Sequence, residues 1–385
     1  MTSDRVAVID PSNFTPPYNH HLCEGLADTG WEVKLFTSGE TNWTSENYER
    51  VLAFYPLTEE RVVDVLPERI RVIGKGTEHI IGMFQLIQRL NQWDPDIIHF
   101  QWLPLPVVDI PLVRLVGHIA PTVFTVHDST PFQGAATSRI QRFMADKGPR
   151  VVDQVIVHTE KTKVELVNTG VSQADISVIP HGVIRHPSTD RLPTNTSDVT
   201  TVLFFGNVKP YKGVDVLIDA VARLPPEVRQ KLRLVIAGRP HGSTDELKQR
   251  ARKHGVTDSI TWELGFIEHE RVGAYFQESD VVVFPYRHID QSGALMTALP
   301  FGKPVIATEV GGFIDVLTDG VHGRLVPPDN ADALSSALAE LLGDENRREE
   351  MGDSVAELAN NTYSWGRIAK MTTDLYREAQ RDRRA

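Results

Sequence analysis

Two lysines lie between two glycines in the second half of the chain, a spacing suited to binding a diphosphate. Residues 201–224 read TVLFFGNVKPYKGVDVLIDAVARL: an apolar strand ends at Gly206, a short loop carries Lys209 and Lys212, and a helix begins at Gly213. Glycine permits close backbone approach, and the free N–H groups of a helix start attract anions. The segment matches neither GxGxxG nor GxxxxGK[ST], so an ordinary strand-to-helix turn with solvated lysines stays open.

A second glycine-rich segment follows further along the chain. Residues 285–312 read PYRHIDQSGALMTALPFGKPVIATEVGG, in which a loop leads to Ser292 and Gly293, a helix follows, and the next strand ends in Gly311 and Gly312. Several such turns on one edge of a sheet predict a polar ligand of nucleotide size.

The first half offers fewer reactive side chains. His127 and Asp128 end an apolar strand, where a structural role and a substrate contact both fit. The DxD at residues 94–96 precedes a strand, so we interpret it as a turn and not as a metal–nucleotide site. His20 and His21 are neighbours that face different directions on a helix, and we predict no metal site.

The elements that position these residues alternate along the chain. Short apolar runs are followed by amphipathic stretches in both halves, which predicts parallel sheets with right-handed crossovers and an α/β, doubly wound fold. The predicted strands are residues 5–10, 32–37, 97–100, 122–126, 154–158, 202–206, 232–238, 260–263, 280–285, 304–308 and 323–326. The predicted helices include residues 18–29, 78–92, 161–169, 214–224 and 331–342.

The alternation stops once. A stretch rich in Ser, Thr, Pro, Asn and Asp without apolar periodicity predicts a linker at residues 187–198. We therefore predict an N-terminal domain over residues 1–186, a C-terminal domain over 199–350, and a helical tail over 351–385 that crosses back to the first domain. Open α/β sheets bind ligands outside the carboxyl ends of their strands, so we expect the site in the cleft that those ends face.

Composition excludes several classes of protein. The 385 residues contain 40 Lys and Arg against 51 Asp and Glu, a formal charge of −11, which disfavours binding to nucleic acid. The single cysteine, Cys23, excludes a disulfide framework and fits a reducing, cytoplasmic compartment.

The most apolar segment, residues 102–121, contains three prolines and two charged residues, so we do not expect it to span a membrane. A half-buried helix is one interpretation of this segment. The other is peripheral contact with the inner membrane face, to which four basic residues nearby would contribute: Arg139, Arg142, Lys147 and Arg150.

The ordered motifs of the second half resemble the donor-binding domain of retaining GT-B glycosyltransferases of family four. That family's FxGRxxxxKG, AG, base-loop, PS, E-x7-E and GG elements are matched in order. The matching segments are FFGNVKPYKG (204–213), LVIAG (234–238), LGFI (264–267), VVVFPY (281–286), residues 290–308 and EVGG (309–312). Weaker matches in the first half are GWEV (30–33), DIIHF (96–100), TVHD (125–128) and IPHGV (179–183), and residues 363–376 resemble the final helix.

The resemblance implies a GT-B fold of two Rossmann-like domains and transfer of a sugar from a nucleotide-sugar donor, UDP- or GDP-linked, with retention of anomeric configuration. It implies neither a metal nor a cofactor. The acceptor is a glycan, a lipid-linked molecule or a small molecule. The oligomeric state stays open.

The resemblance also assigns residues. Catalytic roles fall on His127, Lys212 and Asp290, with His127 bonded to a hydroxyl of the donor sugar. The donor-binding set is Gly206, Asn207, Lys209, Lys212, Gly213, Gly265, Phe266, Ile267, Ser292, Gly293, Ala294 and Thr297. The first loop, on the acceptor side, contains Thr15, Pro16 and Tyr18.

Three departures from the family pattern bear on nucleotide preference and affinity. Asn207 stands in place of the arginine of the GR pair, with Lys209 two residues on. The second glutamate of the E-x7-E motif is replaced by Thr297. The position that corresponds to the first glutamate lies next to Asp290 and holds no glutamate. The first loop has Thr-Pro-Pro, at residues 15–17, where the family has a glycine pair.

Two other uses of the fold remain open from the residues. One is a nucleotide-sugar epimerase or a glycan phosphorylase. The other is a catalytically weak protein that binds nucleotide sugars. A dehydrogenase is disfavoured because no glycine fingerprint follows the first strand.

Overall fold

The chain folds as two compact units. The computed structural model describes residues 3–39, 41–56, 68–127, 144–186 and 199–384, with the side chains of 68–72 outside the description. One unit comprises Met1–Gly182 and Trp365–Ala385, and the other comprises Val183–Ser364. The predicted linker at 187–198 lies outside the described residues.

The first unit contains a seven-stranded parallel sheet in the order β3-β2-β1-β4-β5-β6-β7. Its strands are β1 (Arg5–Asp10), β2 (Glu32–Ser38), β3 (Glu49–Phe54), β4 (Ile97–Phe100), β5 (Thr122–Val126), β6 (Gln154–Val157) and β7 (Ile176–Val178). The helices that follow these strands are α1 (Pro16–Asp28), α2 (Glu68–Trp93), α3 (Pro106–Val116) and α4 (Glu160–Asn168).

The second unit contains a six-stranded parallel sheet in the order β10-β9-β8-β11-β12-β13. Its strands are β8 (Thr200–Phe205), β9 (Leu232–Gly238), β10 (Ile260–Leu264), β11 (Val281–Phe284), β12 (Val305–Thr308) and β13 (Gly323–Val326). Its helices are α5 (Val214–Arg223), α6 (Pro226–Arg229), α7 (Asp245–Lys253), α8 (His269–Gln277), α9 (Gly293–Ala298), α10 (Gly312–Val316), α11 (Ala331–Gly343) and α12 (Glu345–Asn361).

The predicted alternation of strands and helices is confirmed in both units. Strands such as β6 and β11 are buried along their whole length, as parallel strands covered on both faces must be, and their sequences QVIV and VVVF are correspondingly apolar. Two edge strands escaped prediction. β3 begins with the charged pair Glu49 and Arg50, and β7 has only three residues, so neither shows a clear apolar run.

The apolar segment at residues 102–121 forms α3, a partly buried helix that begins at Pro106. Ile110, Val113 and Val116 point into the core of the first unit, and buried Asp109 binds the ring of His79. Within the described residues, no helix is long and apolar enough to cross a membrane. The basic residues Arg139 and Arg142 lie outside the described residues.

The C-terminal helix, α13 (Trp365–Arg384), belongs to the first unit, whereas α12 before it belongs to the second. The structure therefore places the start of the tail at Trp365 and not at residue 351, because α12 packs on its own unit, where Gly352 lies against the backbone of Gly302. The buried side chains of α13 share a core with α1. The two helices touch closely at Gly25, where an added Cβ would lie 3.0 Å from Ala369 Cβ.

This close approach predicts that Gly25 keeps the tail docked. We expect Gly25→Leu to lower the free energy of unfolding by about 1–3 kcal/mol, because the extra side chain pushes α13 away from α1. Urea denaturation measures the loss. Gly76→Leu is the matched control, since Gly76 lies in α2 with no atom within 4 Å of the added Cβ. Equal stability of the two variants would contradict the role assigned to Gly25.

Candidate active site

The strand order of each sheet reverses at one point, and the predicted site residues follow the strands that flank it. In the first sheet β1 lies between β2 and β4, and in the second β8 lies between β9 and β11. At such a reversal, the connections that follow the two neighbouring strands run to opposite faces of the sheet. Their loops therefore separate at the carboxyl ends of the strands and leave a crevice.

Glycines shape the crevice of the second unit. Gly206 ends β8 with φ +126°, and a Cβ there would lie 3.0 Å from the Lys212 ammonium. At Gly213, with φ +67°, a Cβ would lie 1.9 Å from the carbonyl oxygen of Pro285, and at Gly238 one would lie 2.1 Å from the carbonyl oxygen of Gly206. No side chain fits at these three positions, so the backbone itself forms the walls of a cradle.

The Lys212 side chain lies in this cradle. It is 9% exposed, and its Nζ donates to Tyr286 Oη at 2.9 Å and lies 4.7 Å above that ring. Among the described residues no carboxylate pairs with it. Burial, and then the charge of Lys209, lower the pKa of Lys212 to about 8. A buried cation without a counter-ion calls for an anion.

Helix α5 begins beside Lys212. Gly213 caps it in the left-handed conformation without a side-chain hydrogen bond, so, as far as the described residues show, its first N–H groups stay open to an anion. Arg287 holds the preceding loop in place: its guanidinium donates to the Pro210 carbonyl oxygen and forms a bidentate pair with Asp215 at 3.0 and 2.7 Å. Sequence reasoning missed Arg287 and Tyr286, whose partners Asp215 and Lys212 lie 72 and 74 residues away.

The two polar residues that replace the expected arginine have different surroundings. Asn207 is exposed, and Lys209 is half-buried. Lys209 lies close enough to lower the pKa of Lys212 through repulsion, so the two ammonium groups act on the same region. This arrangement agrees with the prediction that Lys209 supplies positive charge near the lysine of the cradle.

The predicted base loop follows β10. Gly265 has φ +151° and its N–H donates to the carbonyl oxygen of Gly238 at 3.1 Å, which ties this loop to the end of β9. Phe266 is 74% exposed, and Ile267 is half-buried. An aromatic ring so exposed at a sheet edge offers an apolar face to a planar ligand.

The residues predicted to hold the donor sugar gather at the start of α9. Ser292 Oγ accepts from the N–H of Leu295, Gly293 is exposed, and the Cβ of Ala294 lies 3.9 Å from the Cβ that Gly206 would have. Thr297 is buried, and its hydroxyl donates to the carbonyl oxygen of Gly293 at 2.9 Å. Only its lone pairs are left for a ligand, so it is a weaker partner than a glutamate would be.

Asp290 is held by its backbone. Its carbonyl oxygen accepts from the N–H of Gly312 at 2.9 Å, and a Cβ on Gly312 would lie 2.7 Å from that oxygen. At Gly311, with φ +48°, a Cβ would lie 1.5 Å from the carbonyl oxygen of Ile289. The glycine pair of the EVGG segment thus packs against the loop that carries Asp290.

The first loop of the first unit connects β1 to α1. Asp10 is buried at the end of β1, and its carboxylate accepts from Asn19 at 2.7 Å and from the Thr15 N–H at 3.4 Å. Thr15 Oγ1 accepts from the Trp102 indole at 3.3 Å. Pro16 and Pro17 occupy the first two positions of α1, so this helix start lacks two of the N–H groups that an anion would use.

Four aromatic rings surround the buried side chain of Tyr18. The ring of His127 lies edge-on at 4.8 Å between centroids, and the other three rings, at 4.9–5.6 Å, belong to His181, Trp365 and His158. Burial raises the pKa of the Tyr18 hydroxyl, so the hydroxyl stays neutral.

His127 has a close polar neighbour at each ring nitrogen. Its Nε2 lies 3.1 Å from Gln101 Oε1 and its Nδ1 lies 3.3 Å from His158 Nε2, while the ring stacks on Trp102 at 5.1 Å. Burial first, and then the neighbouring imidazoles, lower the pKa of His127 well below its usual range. The same causes lower the pKa of His99 to about 3, and burial lowers that of His158 to about 4. His127 is therefore neutral at pH 7.

One of the remaining candidates, His21, borders the cluster around Tyr18, because its ring stacks on that of Trp365 at 5.8 Å between centroids. Asp128 lies outside the described residues. The DxD at residues 94–96 precedes β4, and the Asp96 carboxylate accepts from the Arg5 N–H at 2.9 Å, as a turn residue would. His20 and His21 contact Trp43. Across the described ranges, no group of three or more His, Cys, Asp or Glu side chains is arranged to hold a metal ion.

Two family models match this chain and together span most of it. The model described as Glycosyltransferase Family 4 matches residues 17–185, and the model described as Glycosyl transferases group 1 matches residues 190–357. The chain belongs to the family-four glycosyltransferases. It is an enzyme with the GT-B fold that transfers a sugar from a nucleotide-sugar donor, as the motifs predicted.

Individual relatives agree with this membership. The glycosyltransferase is 29% identical to proteins named D-inositol 3-phosphate glycosyltransferase from Kineococcus radiotolerans and Xylanimonas cellulosilytica. Each alignment covers 96% of this chain and 91% or 92% of the relative. Among solved structures, sucrose-phosphate synthase from Thermosynechococcus elongatus superposes with a TM-score of 0.70 at 21% identity, over 97% of this chain and 98% of the other. Anabaena HepE in complex with UDP and glucose superposes with a TM-score of 0.68 at 16% identity, over 97% and 100%.

The buried ammonium of this glycosyltransferase predicts an unusual stability profile. We expect Lys212→Met to be as stable as wild type at pH 7, or more stable by about 1 kcal/mol, because it removes an unpaired buried charge. The folded pKa of Lys212, about 8, lies below its unfolded value. The charged Lys212 therefore destabilises the wild-type protein fully below pH 8, and this destabilisation decreases as the pH rises toward the unfolded pKa.

Urea denaturation of both proteins at pH 7 and near pH 10 tests this profile. The stability gap between variant and wild type should narrow at the higher pH. Lys253→Met, at an exposed position on α7, should show no gap at either pH. A large loss of stability in Lys212→Met at pH 7 would show that the ammonium stabilises the unliganded fold.

Proposed function

We propose that this glycosyltransferase transfers a sugar from a UDP-sugar to a hydroxyl group of its acceptor, and that Lys212 binds the diphosphate of the donor. The observation that carries the proposal is the Lys212 ammonium, buried beside the open start of α5 with no carboxylate partner among the described residues. A diphosphate supplies the missing negative charge and accepts from both the ammonium and the helix N–H groups.

The proposed chemistry needs no protein nucleophile. The bond between the anomeric carbon and the diphosphate oxygen breaks, and a bond from the acceptor oxygen to that carbon forms on the same face of the sugar. The acceptor proton passes to the leaving diphosphate. Lys212, Lys209 and the helix start stabilise the charge that develops on the leaving group, where preorganised donors act most strongly.

The other predicted residues fit this scheme through their positions. Phe266, exposed beside Gly265 and Ile267, would pack on the base. The loop of Asp290 and the backbone of Ser292, Gly293 and Ala294 would bind sugar hydroxyls. In the first unit, His127 would bond to a hydroxyl of the donor sugar, and Thr15, Pro16 and Tyr18 would line the acceptor side.

Support for the choice of UDP comes from relatives. Two structures of HepE similar to this chain contain UDP with glucose, or UDP-glucose. The names of the curated relatives make an inositol phosphate the first acceptor to test, with glycans and lipid-linked acceptors after it.

The test measures binding and turnover in separate experiments. UDP should raise the melting temperature of the wild-type enzyme more than GDP, since a bound ligand stabilises the native state by mass action. Lys212→Ala should lose most of the UDP shift and lower kcat/KM at least about a hundredfold, comparable to loss of a main oxyanion donor. Lys253→Ala, at an exposed position, is the control.

Each outcome decides between named alternatives. Wild-type turnover in Lys212→Ala with a competent donor and acceptor would overturn the diphosphate assignment. UDP binding without turnover across a broad acceptor panel would identify a nucleotide-sugar-binding protein. The Thr297 hydroxyl, which already donates to the carbonyl oxygen of Gly293, would favour that outcome. An altered free sugar without acceptor consumption would identify an epimerase.

We also propose that the enzyme works in the cytoplasm with peripheral contact at the inner membrane face. Val107 and Leu115 are exposed on α3, and Lys147 and Arg150 are exposed in the short turn Ala145–Arg150. The full chain should sediment with anionic liposomes at low salt and be released as salt screens the charges. Failure to sediment at low salt would refute the contact, and Lys253→Ala should behave as wild type.

A further inference from the structure

A chain of hydrogen-bonding side chains runs through the core of the first unit to His127. Tyr376 Oη of α13 lies 2.6 Å from His99 Nδ1, and His99 Nε2 lies 3.1 Å from the side-chain nitrogen of Gln101. The oxygen of that amide lies 3.1 Å from His127 Nε2, and His127 Nδ1 lies 3.3 Å from His158 Nε2. Nothing in the family resemblance assigns a role to Gln101.

Gln101 lies between two imidazoles, and its amide nitrogen faces one of them while its amide oxygen faces the other. An amide nitrogen only donates and an amide oxygen only accepts, so the ring nitrogen facing each of them is determined. His127 must donate its Nε2–H to Gln101 Oε1, and His99 Nε2 must be unprotonated to accept from the amide. A neutral imidazole has one N–H, so the remaining proton of His99 lies on Nδ1 and is donated to Tyr376.

At the other end of this series of hydrogen bonds, a backbone carbonyl determines the tautomer of His158. His158 donates Nδ1–H to the carbonyl oxygen of Ile179 at 2.9 Å, which leaves Nε2 of a neutral His158 without a proton. His127 Nδ1 is also without a proton, because Nε2 carries it. Two lone pairs therefore face each other across 3.3 Å. That contact is satisfied when a third group brings a hydrogen, as a ligand hydroxyl does.

We propose that Gln101 is a positioning residue for His127: it holds the Nε2–H tautomer and thereby makes Nδ1 the acceptor for a hydroxyl of the donor sugar. This inference rests on the proposed function of His127. Gln101 is itself oriented by His99, whose ring is held by Tyr376 and by Thr125 Oγ1 at 2.7 Å. All three of these partners are buried, so water does not compete for the contacts.

Kinetics of Gln101→Leu form the first test. Loss of the amide frees the His127 ring, and kcat should fall roughly ten- to hundredfold, as expected for a misplaced group. The Kd for UDP alone should stay within about twofold, because UDP contains no sugar hydroxyl of the donor hexose. Gln88→Leu, at an exposed position on α2, is the matched control.

A conservative variant gives a reading that simple loss of structure would not produce. Gln101→Glu still accepts from His127 Nε2–H, so turnover should be largely rescued at high pH. Its carboxylate favours imidazolium, in which Nδ1 carries a proton and cannot accept, so the acid limb of the pH–rate profile should move to higher pH than in wild type. Among the described residues, the titratable groups around His127 are Tyr18 on α1, His99 on β4, His158 after β6, and His181.

A spectroscopic test is independent of activity. In protein labelled with ¹⁵N at histidine, long-range ¹H–¹⁵N spectra should show His127 as the Nε2–H tautomer in wild type, and a mixture or the Nδ1–H tautomer in Gln101→Leu. Tyr376→Phe keeps the ring but removes the hydroxyl, and it should perturb His99 first. An unchanged His127 tautomer in Gln101→Leu would overturn the proposal, even if the enzyme proved inactive on UDP-sugars. A changed tautomer with unchanged kcat would overturn the role of His127 instead.

Discussion

The second unit depends on one electrostatic constraint, a buried ammonium that no carboxylate among the described residues neutralises. The residues around Lys212 accommodate this charge. Gly206 leaves space where a Cβ would lie 3.0 Å from the ammonium, the Tyr286 ring and hydroxyl supply partial negative charge, and Arg287 pairs with its own aspartates. A buried cation without a counter-ion costs stability in the free protein, and an anion bound beside it would offset that cost.

The crevice of the first unit contains different chemical groups. Among its described residues, His127 and His158 are imidazoles that burial keeps neutral, so they offer hydrogen bonds without charge. Its helix start has prolines where N–H groups would otherwise meet an anion. The two crevices therefore differ in chemical character: the second unit presents a buried ammonium, and the first presents neutral hydrogen-bonding rings.

The sequence predicted what is local, and it missed what depends on strand register. Continuous apolar runs predicted most strands, and the Gly-Lys-Gly spacing predicted the loop before α5. It failed where partners are far apart: Lys212 and Tyr286 are separated by 74 residues, and Gln101 and His127 by 26, and only the strand order brings them together. Thr297 stays a predicted donor-binding residue; the structure adds that its hydroxyl donates within its own helix, a detail that spacing does not specify.

The division of the chain into units has a consequence for its synthesis. The second unit is one continuous segment, whereas the core of the first unit also contains Ile368, Leu375 and Tyr376 from the last helix. His99 and Tyr376 bond across 277 residues. Because α13 follows the second unit along the chain, the apolar face of the first unit that packs against α13 stays uncovered during translation until α13 has been made.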